Sequence, residues 1–250
     1  MSKETCLSAS SELNRYITTK FIPHLTSQNN IAPRIYAFAA LARCNRLLTG
    51  MIVLHEAGYD DIAGMNMRPI VECWFLGTYL LLAPDEANSL LVLLQKEQLG
   101  RMSKGGWENL AWTIEEMERF EIDGKGHDWR WIAQRVDQLL VESGESIYVT
   151  SELVYNSLYR GGSHFDLHAG IGTLQGHVDV RGEATFTIEV RRGEAYEMDR
   201  TKPAASLIGL LALMIAARIA FNDPELQRLH KLVVDCGDPR PSSETDTLIT

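Results

Sequence analysis

One stretch of this 250-residue chain gathers many of the groups that transfer protons or bind phosphate. Residues 154–170 read Val-Tyr-Asn-Ser-Leu-Tyr-Arg-Gly-Gly-Ser-His-Phe-Asp-Leu-His-Ala-Gly and hold two of the eight tyrosines and two of the seven histidines. Histidine exchanges protons near neutral pH, and the planar guanidinium of arginine binds two phosphate oxygens at once. We call residues 154–170 the central stretch, and its candidate site residues are Tyr159, Arg160, Ser163, His164 and His168.

An arginine followed closely by a histidine has the chemistry to cleave RNA without a metal. Such cleavage needs a base for the 2′-hydroxyl, an acid for the leaving oxygen and a cation for the phosphorane. Arg160 and His164 lie one turn apart if a single helix runs through the two intervening glycines. Tyr159 adds a hydroxyl beside them. The stretch therefore predicts RNA or another phosphate-containing ligand as the partner.

The two histidines also have the spacing of metal ligands. Because His164 and His168 are four residues apart, they share one helical face and could bind one ion, with Asp166, His177 or Glu72 as a third ligand. The glutamate that follows the first histidine in zinc proteases is missing. The site is predicted to work without a metal or a cofactor, and metal binding stays open as the alternative.

A purely structural interpretation of the central stretch also remains open. Ser163 follows two glycines and precedes an aspartate by three residues, which is a capping-box pattern. In that case the glycines end one helix, Ser163 begins the next, and the histidines are partly buried polar residues. The chain would then be a non-enzymatic helical interaction module with a polar core.

A charged pair interrupts the most apolar part of the chain. Glu72 is the one charged residue in the run 70–82, and burial of an unpaired carboxylate costs several kcal/mol. Arg68 lies four residues earlier, on the same helical face. We predict that Arg68 and Glu72 pair and that they face the central stretch. Arg43 and Arg46, which lie in another apolar stripe, are expected as buried cations.

The elements that must position these residues are mainly helices. Apolar residues recur at helical spacing over much of residues 8–236, which predicts a mainly α, single-domain multi-helix bundle. Phe186 and Ile188 alternate with polar residues, which indicates one β-hairpin near residues 178–190. The polar, proline-rich composition of residues 237–250 predicts a disordered tail.

Helix boundaries follow from capping residues and prolines. Pro23 is expected to end the first helix, and Pro69 is expected to kink a helix that runs from about residue 60 to residue 82. Gly58 is a candidate cap for the end of the helix before it. Ser151 is expected to cap the helix that leads into the central stretch.

The overall composition excludes several classes of function. A formal net charge of −9 repels polyanions, so a protein that coats nucleic acid is excluded but a local phosphate site is not. The longest apolar run, residues 204–217, is shorter than the ~20 residues that span a bilayer, which predicts a core helix and no membrane partner. No two of the four cysteines are close in sequence. Cys44 and Cys73 lie in apolar helical patterns, which predicts that they are buried apolar residues of a reduced, cytoplasmic protein.

The order of three motifs resembles a family of bacterial all-helical proteins of unknown function. The motifs are Leu54-His-Glu-Ala-Gly-Tyr-Asp-Asp, then Arg68-Pro-x-x-Glu72, then Tyr159-Arg-x-x-Ser163 with a histidine directly after it. Together they cover much of residues 35–170. The resemblance implies an all-helical domain with one Arg-x-x-x-Glu helix and one helix that bears serine and histidine.

More distantly, a helix with arginine and histidine in an all-α protein is similar to HEPN domains. That similarity implies an often dimeric, metal-independent ribonuclease of a toxin or phage-defence system. Arg160 and either His164 or His168 would be its catalytic residues, with Arg68 and Glu72 behind them. Three residues separate Arg160 from His164 and seven separate it from His168, and neither spacing is that of the HEPN motif.

Overall fold

A computed structural model of the chain describes residues 3–26, 34–86, 89–90, 94, 129–144, 151–160, 178–180, 186–188 and 200–236. Within these residues the mainly α class is confirmed. Two π-helical segments, Ile17–Phe21 and Tyr155–Arg160, continue directly from α-helices. The α-helices are α1 Lys3–Tyr16, α2 Ile22–Thr26, α3 Ile35–Glu56, α4 Asp60–Gly64, α5 Met67–Leu82, α6 Trp129–Glu142, α7 Ser151–Val154, α8 Thr201–Arg218 and α9 Pro224–Asp235.

The apolar helix α8 lies in the middle of the bundle. It packs against α1, α3, α5 and α9, and Ala204, Ile208, Leu211 and Ile215 on its surface have no exposure to solvent. A helix that is apolar on nearly all sides is expected where neighbours surround it. By length and composition alone, α3 and α8 could each cross a membrane. In the protein, 50% of the most apolar 18-residue segment of α3 and 61% of that of α8 are buried.

Helices α3 and α5 form an antiparallel pair that carries part of the candidate site. The two helices pack closely at Gly77, where an added Cβ atom would lie only 3.0 Å from the Cβ of Ala40. Helix α3 ends at a left-handed glycine, Gly58, whose φ is 76°. The amide of Gly58 donates to the carbonyl of His55 at 2.9 Å, and the amide of Tyr59 donates to Leu54 at 2.8 Å. This is a Schellman motif, so the predicted cap at Gly58 is confirmed.

The effect predicted for each of two prolines is wrong. Pro23 does not end the first helical region, because it lies in the first turn of α2, which continues to Thr26. Pro69 does not kink a helix from residue 60 to residue 82, because α4 ends at Gly64 and Pro69 lies in the first turn of α5. Pro69 is tolerated in the first turn of α5, where its missing N–H has no intrahelical acceptor. Helix α2, which holds Pro23, directly follows the π-helical segment Ile17–Phe21, so the helical region that begins with α1 continues through it.

Two short strands, β1 Val178–Val180 and β2 Phe186–Ile188, pair in antiparallel register. Val178 lies opposite Ile188, and Val180 lies opposite Phe186. Both strands lie within the segment for which the sequence indicates a hairpin. The connecting residues 181–185 lie outside the described residues, as does the predicted tail 237–250.

Candidate functional site

The first half of the site is an ion pair on α5. Arg68 Nε donates to Glu72 Oε1 at 3.1 Å, and the two residues are four apart, so they lie one helical turn from each other. The two side chains are 35% and 27% exposed, so the pair lies at the boundary between the core and solvent. The predicted pairing is therefore confirmed, and it explains how a carboxylate is tolerated within the apolar run of α5.

The second half of the site follows α7, whose start is fixed by a different helix. Asp137 on α6 accepts hydrogen bonds from the backbone amides of Ser151 at 2.6 Å and Glu152 at 3.3 Å. A carboxylate satisfies the unpaired amides of a first turn and complements the helix dipole. The cap predicted for Ser151 is therefore wrong, since Ser151 is the first helical residue and Asp137 takes the capping role. After Val154 the chain widens into the π-helical segment Tyr155–Arg160.

Tyr159 joins the two halves. Its hydroxyl oxygen accepts a hydrogen bond of 2.8 Å from Arg68 Nη2, and the Arg68 guanidinium carbon lies 4.6 Å from the centre of the Tyr159 ring. Tyr155 stacks on Tyr159 with ring centres 5.0 Å apart and ring planes inclined by 17°. The prediction that Arg68 and Glu72 face the central stretch is thus confirmed at Tyr159.

The surroundings of Tyr159 favour its protonated phenol. Burial, reinforced by the negative charge of Glu72, raises the pKa of Tyr159, although the positive charge of Arg68 opposes this. Burial alone would lower the pKa of Arg68, but its hydrogen bond to Glu72 and its other interactions with Glu72 and Tyr159 outweigh burial and raise that pKa. The cluster therefore favours a cation at Arg68 and a neutral phenol at Tyr159.

Arg160 takes a different position from its neighbour. Tyr159 is buried, whereas Arg160 is exposed at the end of the π-helical segment. In the described part of the site, Arg68 is therefore held by hydrogen bonds to other side chains, whereas Arg160 is exposed to solvent. Ser163, His164, His168, Asp166 and His177 lie outside the described residues.

The cations predicted on α3 are not buried. Arg43 and Arg46 are both exposed, because each lies on the solvent side of its turn while Cys44 and Asn45 point into the core. Arg43 nevertheless lies close enough to Cys73, which directly follows Glu72 on α5, for its positive charge to help lower the pKa of that thiol. Sequence reasoning missed this contact, and the available signal was the pairing of Arg43-Cys44 with Glu72-Cys73 on two apolar helices.

The motif Leu54 to Asp61 forms the turn between α3 and α4. His55 Nδ1 contacts an Asp60 carboxylate oxygen across this turn, and the two side chains of this pair are only 9% and 10% exposed. Together with the glycine cap, the pair fixes the angle at which the chain enters α4. Among the residues that the structure describes, no group of three His, Cys, Asp or Glu side chains could hold a metal ion.

Comparison with known proteins identifies a family. Residues 34–185 match DUF5677, a family of unknown function. The match covers more than half of the 250 residues, so this chain belongs to that family. No curated protein and no solved structure matches the chain. The match includes α3 to α7, the candidate site and the whole of the central stretch, and the family description assigns them no activity.

Proposed function

We propose that this member of DUF5677 handles phosphate-containing ligands at the site between α5 and the π-helical segment, most specifically as a HEPN-like, metal-independent ribonuclease. The supporting observation is the contact of the Arg68–Glu72 pair with Tyr159. This contact anchors on α5 the chain segment that carries Arg160. An anchored backbone next to an exposed arginine suits a site that must hold a phosphate in a fixed orientation.

Each residue has a role in the proposed reaction. Arg160 binds the scissile phosphate and stabilises the charge that develops on the phosphorane. His164 or His168 removes the proton of the 2′-hydroxyl or protonates the leaving oxygen. Ser163 and Tyr159 supply hydroxyl groups near the phosphate. Arg68 and Glu72 act as positioning residues, because they reach the reaction through Tyr159.

The proposal includes no metal and no cofactor, since the protein itself supplies the acid, the base and the cation. A homodimer in the cytoplasm of a bacterial cell, with a role in a toxin or phage-defence system, completes the proposal and follows from the likeness to HEPN domains. The net charge of −9 restricts RNA to a local contact around Arg160.

A second function is favoured by a specific observation. The hydrogen bonds of Arg68 to Glu72 and Tyr159 are internal to the protein, and Tyr159 is buried. An internally satisfied polar cluster joins helices and gives them a unique arrangement. In this alternative the cluster is a structural joint, and the chain is a helical interaction module without catalytic activity.

RNA cleavage by the purified protein, with and without EDTA, separates these functions. The test variant is Arg160→Ala/His168→Ala, and the control is Arg15→Ala, which removes an equally exposed arginine from α1. We expect EDTA-resistant cleavage by the wild type and the control. The double variant should be about 10²- to 10⁴-fold slower, as expected for loss of acid–base catalysis. Circular dichroism and melting establish that each variant is folded.

The other outcomes contradict the ribonuclease proposal. Cleavage that EDTA abolishes would favour the metal alternative at His164 and His168. No cleavage by the wild type, together with a much lower Tm for the double variant, would favour the structural joint. Equal loss of activity in Arg15→Ala would show that the assay reports general charge and not the candidate site.

A further inference from the structure

The close packing of α3 on α5 brings two cysteines together. Ala40 faces Gly77, and a Cβ atom built on Gly77 would lie only 3.0 Å from the Cβ of Ala40, so the absence of a side chain at Gly77 lets the two helices pack closely there. Cys44 lies four residues after Ala40, and Cys73 lies four residues before Gly77. In an antiparallel pair, positions one turn away from a contact in opposite chain directions face each other. The helix packing therefore places the two cysteines opposite one another.

The side chains meet as that packing requires. The Cys44 thiol donates a hydrogen bond of 3.6 Å to the carbonyl oxygen of Ile70, one turn before Cys73, and it lies close enough to Cys73 for each sulfur to shift the pKa of the other. Both cysteines are free thiols. Disulfide formation requires Cα atoms about 4.4–6.8 Å apart and side chains that point toward each other, and two cysteines that face each other on closely packed helices suit that requirement.

The two thiols differ in a way that assigns each a different role. Cys44 is completely buried, whereas Cys73 is only half-buried, so solutes reach Cys73 first. The neighbouring Cys44 thiol outweighs the effect of burial and, with the charge of Arg43, lowers the pKa of Cys73. Burial raises the pKa of Cys44. The negative charge of Glu72 opposes ionisation of Cys73, and the exposed Arg43 offsets it. A half-exposed thiol beside an arginine has the environment of a reactive cysteine.

We propose that Cys73 and Cys44 form a dithiol site that hydroperoxides oxidise reversibly to a disulfide. The Cys73 thiolate attacks one oxygen of hydrogen peroxide, the O–O bond breaks, and the products are the Cys73 sulfenic acid and hydroxide, which takes up a proton to become water. Cys44 then attacks the Cys73 sulfur, the S–O bond breaks, and the hydroxyl leaves as a second water with the Cys44 proton. Two thiols lose two electrons, and one peroxide becomes two waters. A thiol reductant reverses the disulfide.

This inference does not depend on the proposed function, because it concerns a thiol pair between α3 and α5 and not the phosphate site. The chain also contains its own comparison: Cys6 and Cys236 are buried free thiols. They experience the same solution and the same oxidant, so any faster reaction of Cys73 reports its surroundings.

The experiment treats the reduced, folded, full-length chain with stoichiometric hydrogen peroxide. Remaining thiols are alkylated in denaturant, and peptides are identified by mass spectrometry without reduction. We expect a Cys44–Cys73 linked peptide, while Cys6 and Cys236 remain alkylated. Cys73 should react at least about tenfold faster than Cys6 and Cys236, and unfolding the chain before oxidation should abolish that preference.

Two variants test the assigned roles. In Cys44→Ser the sulfenic acid of Cys73 has no partner and should be trapped by dimedone. Arg43→Gln changes an exposed residue, so the chain should fold, and oxidation of Cys73 should slow several-fold. The proposal is overturned if Cys73 reacts no faster than Cys6 and Cys236. It is also overturned if Cys73 oxidises without linking to Cys44, or if Arg43→Gln leaves the rate unchanged.

Discussion

Arg68 is the residue on which the candidate site is built. It pairs with Glu72 on its own helix and donates to Tyr159, which lies 91 residues later in the chain. The first contact is local, and exposed pairs of this kind stabilise a helix by only about 0.3–0.5 kcal/mol. The second connects two helical segments and involves a buried hydroxyl, so it should contribute more to stability.

We therefore predict that Tyr159→Phe lowers the free energy of unfolding by about 1 kcal/mol. The change removes the hydrogen bond from Arg68 and retains the aromatic ring with its stacking on Tyr155. Hydrogen bonds to charged groups contribute about 1.5–3 kcal/mol, and the one-third exposure of Arg68 reduces that value here. Chemical unfolding at neutral pH measures the difference.

Tyr155→Phe is the matched control for that prediction. Tyr155 belongs to the same stacked pair, and none of the described residues hydrogen-bonds to its hydroxyl. Its substitution should change stability by less than about 0.5 kcal/mol. Equal effects of the two substitutions would mean that Arg68 does not anchor the π-helical segment through Tyr159.

Local sequence spacing predicts some of these residues and cannot predict others. Arg68 and Glu72 were predictable as a pair because i and i+4 positions share a face in any helix. The contact with Tyr159 was predicted only in general terms, since it depends on how two distant segments pack. Cys73 was misread as a buried residue because the apolar run around it indicates burial on all sides, whereas α5 keeps Glu72 and Cys73 at the boundary with solvent.

At the level of elements, contacts at helix ends and crossings decide where the segments lie. The start of α7 is fixed by Asp137 of α6, and no pattern within residues 145–155 contains that information. Helix α9 docks through a similarly specific contact. A Cβ atom built on Gly209 of α8 would lie 2.5 Å from the His230 ring of α9 and 3.1 Å from Leu13 of α1.

We predict that Gly209→Ala destabilises the protein by about 1–3 kcal/mol. The added methyl group would overlap a ring that is held between helices, so α9 must shift, and overpacking of this kind has that cost. Because alanine has a higher helix propensity than glycine, the substitution would stabilise α8 if there were room for the methyl group. A loss of stability would therefore report the close contact with α9. Thermal and denaturant unfolding both measure the effect.

The control for that prediction is Gly50→Ala in α3. A Cβ atom there meets nothing closer than Asn66 Nδ2 at 3.9 Å, which is ordinary contact. Helix propensity alone should then act, and the variant should be more stable by about 0.5–1 kcal/mol. If Gly209→Ala were also stabilising, α8 and α9 would not approach as closely as the structure shows.

For the molecule as a whole, the mainly α class followed from apolar periodicity. The bundle around α8 agrees with it, because each long helix in the described part of the chain buries apolar side chains. The net charge of −9 places a further constraint on function. A few local cations must overcome the long-range repulsion between this acidic protein and a polyanion. Binding of a phosphate-containing ligand should therefore be weak and sensitive to the loss of a single arginine.

The decisive measurement is the affinity of a fluorescent single-stranded RNA for wild type, Arg160→Ala and Arg15→Ala over a range of salt concentrations. Methylation of the 2′-hydroxyls prevents cleavage, so the titration reports binding alone. We predict that Arg160→Ala weakens binding about tenfold and reduces the slope of log affinity against log salt by about 0.7, which corresponds to one phosphate contact. Arg15→Ala should bind as the wild type does. Equal binding by all three proteins, or no binding by any, would contradict a phosphate site at Arg160.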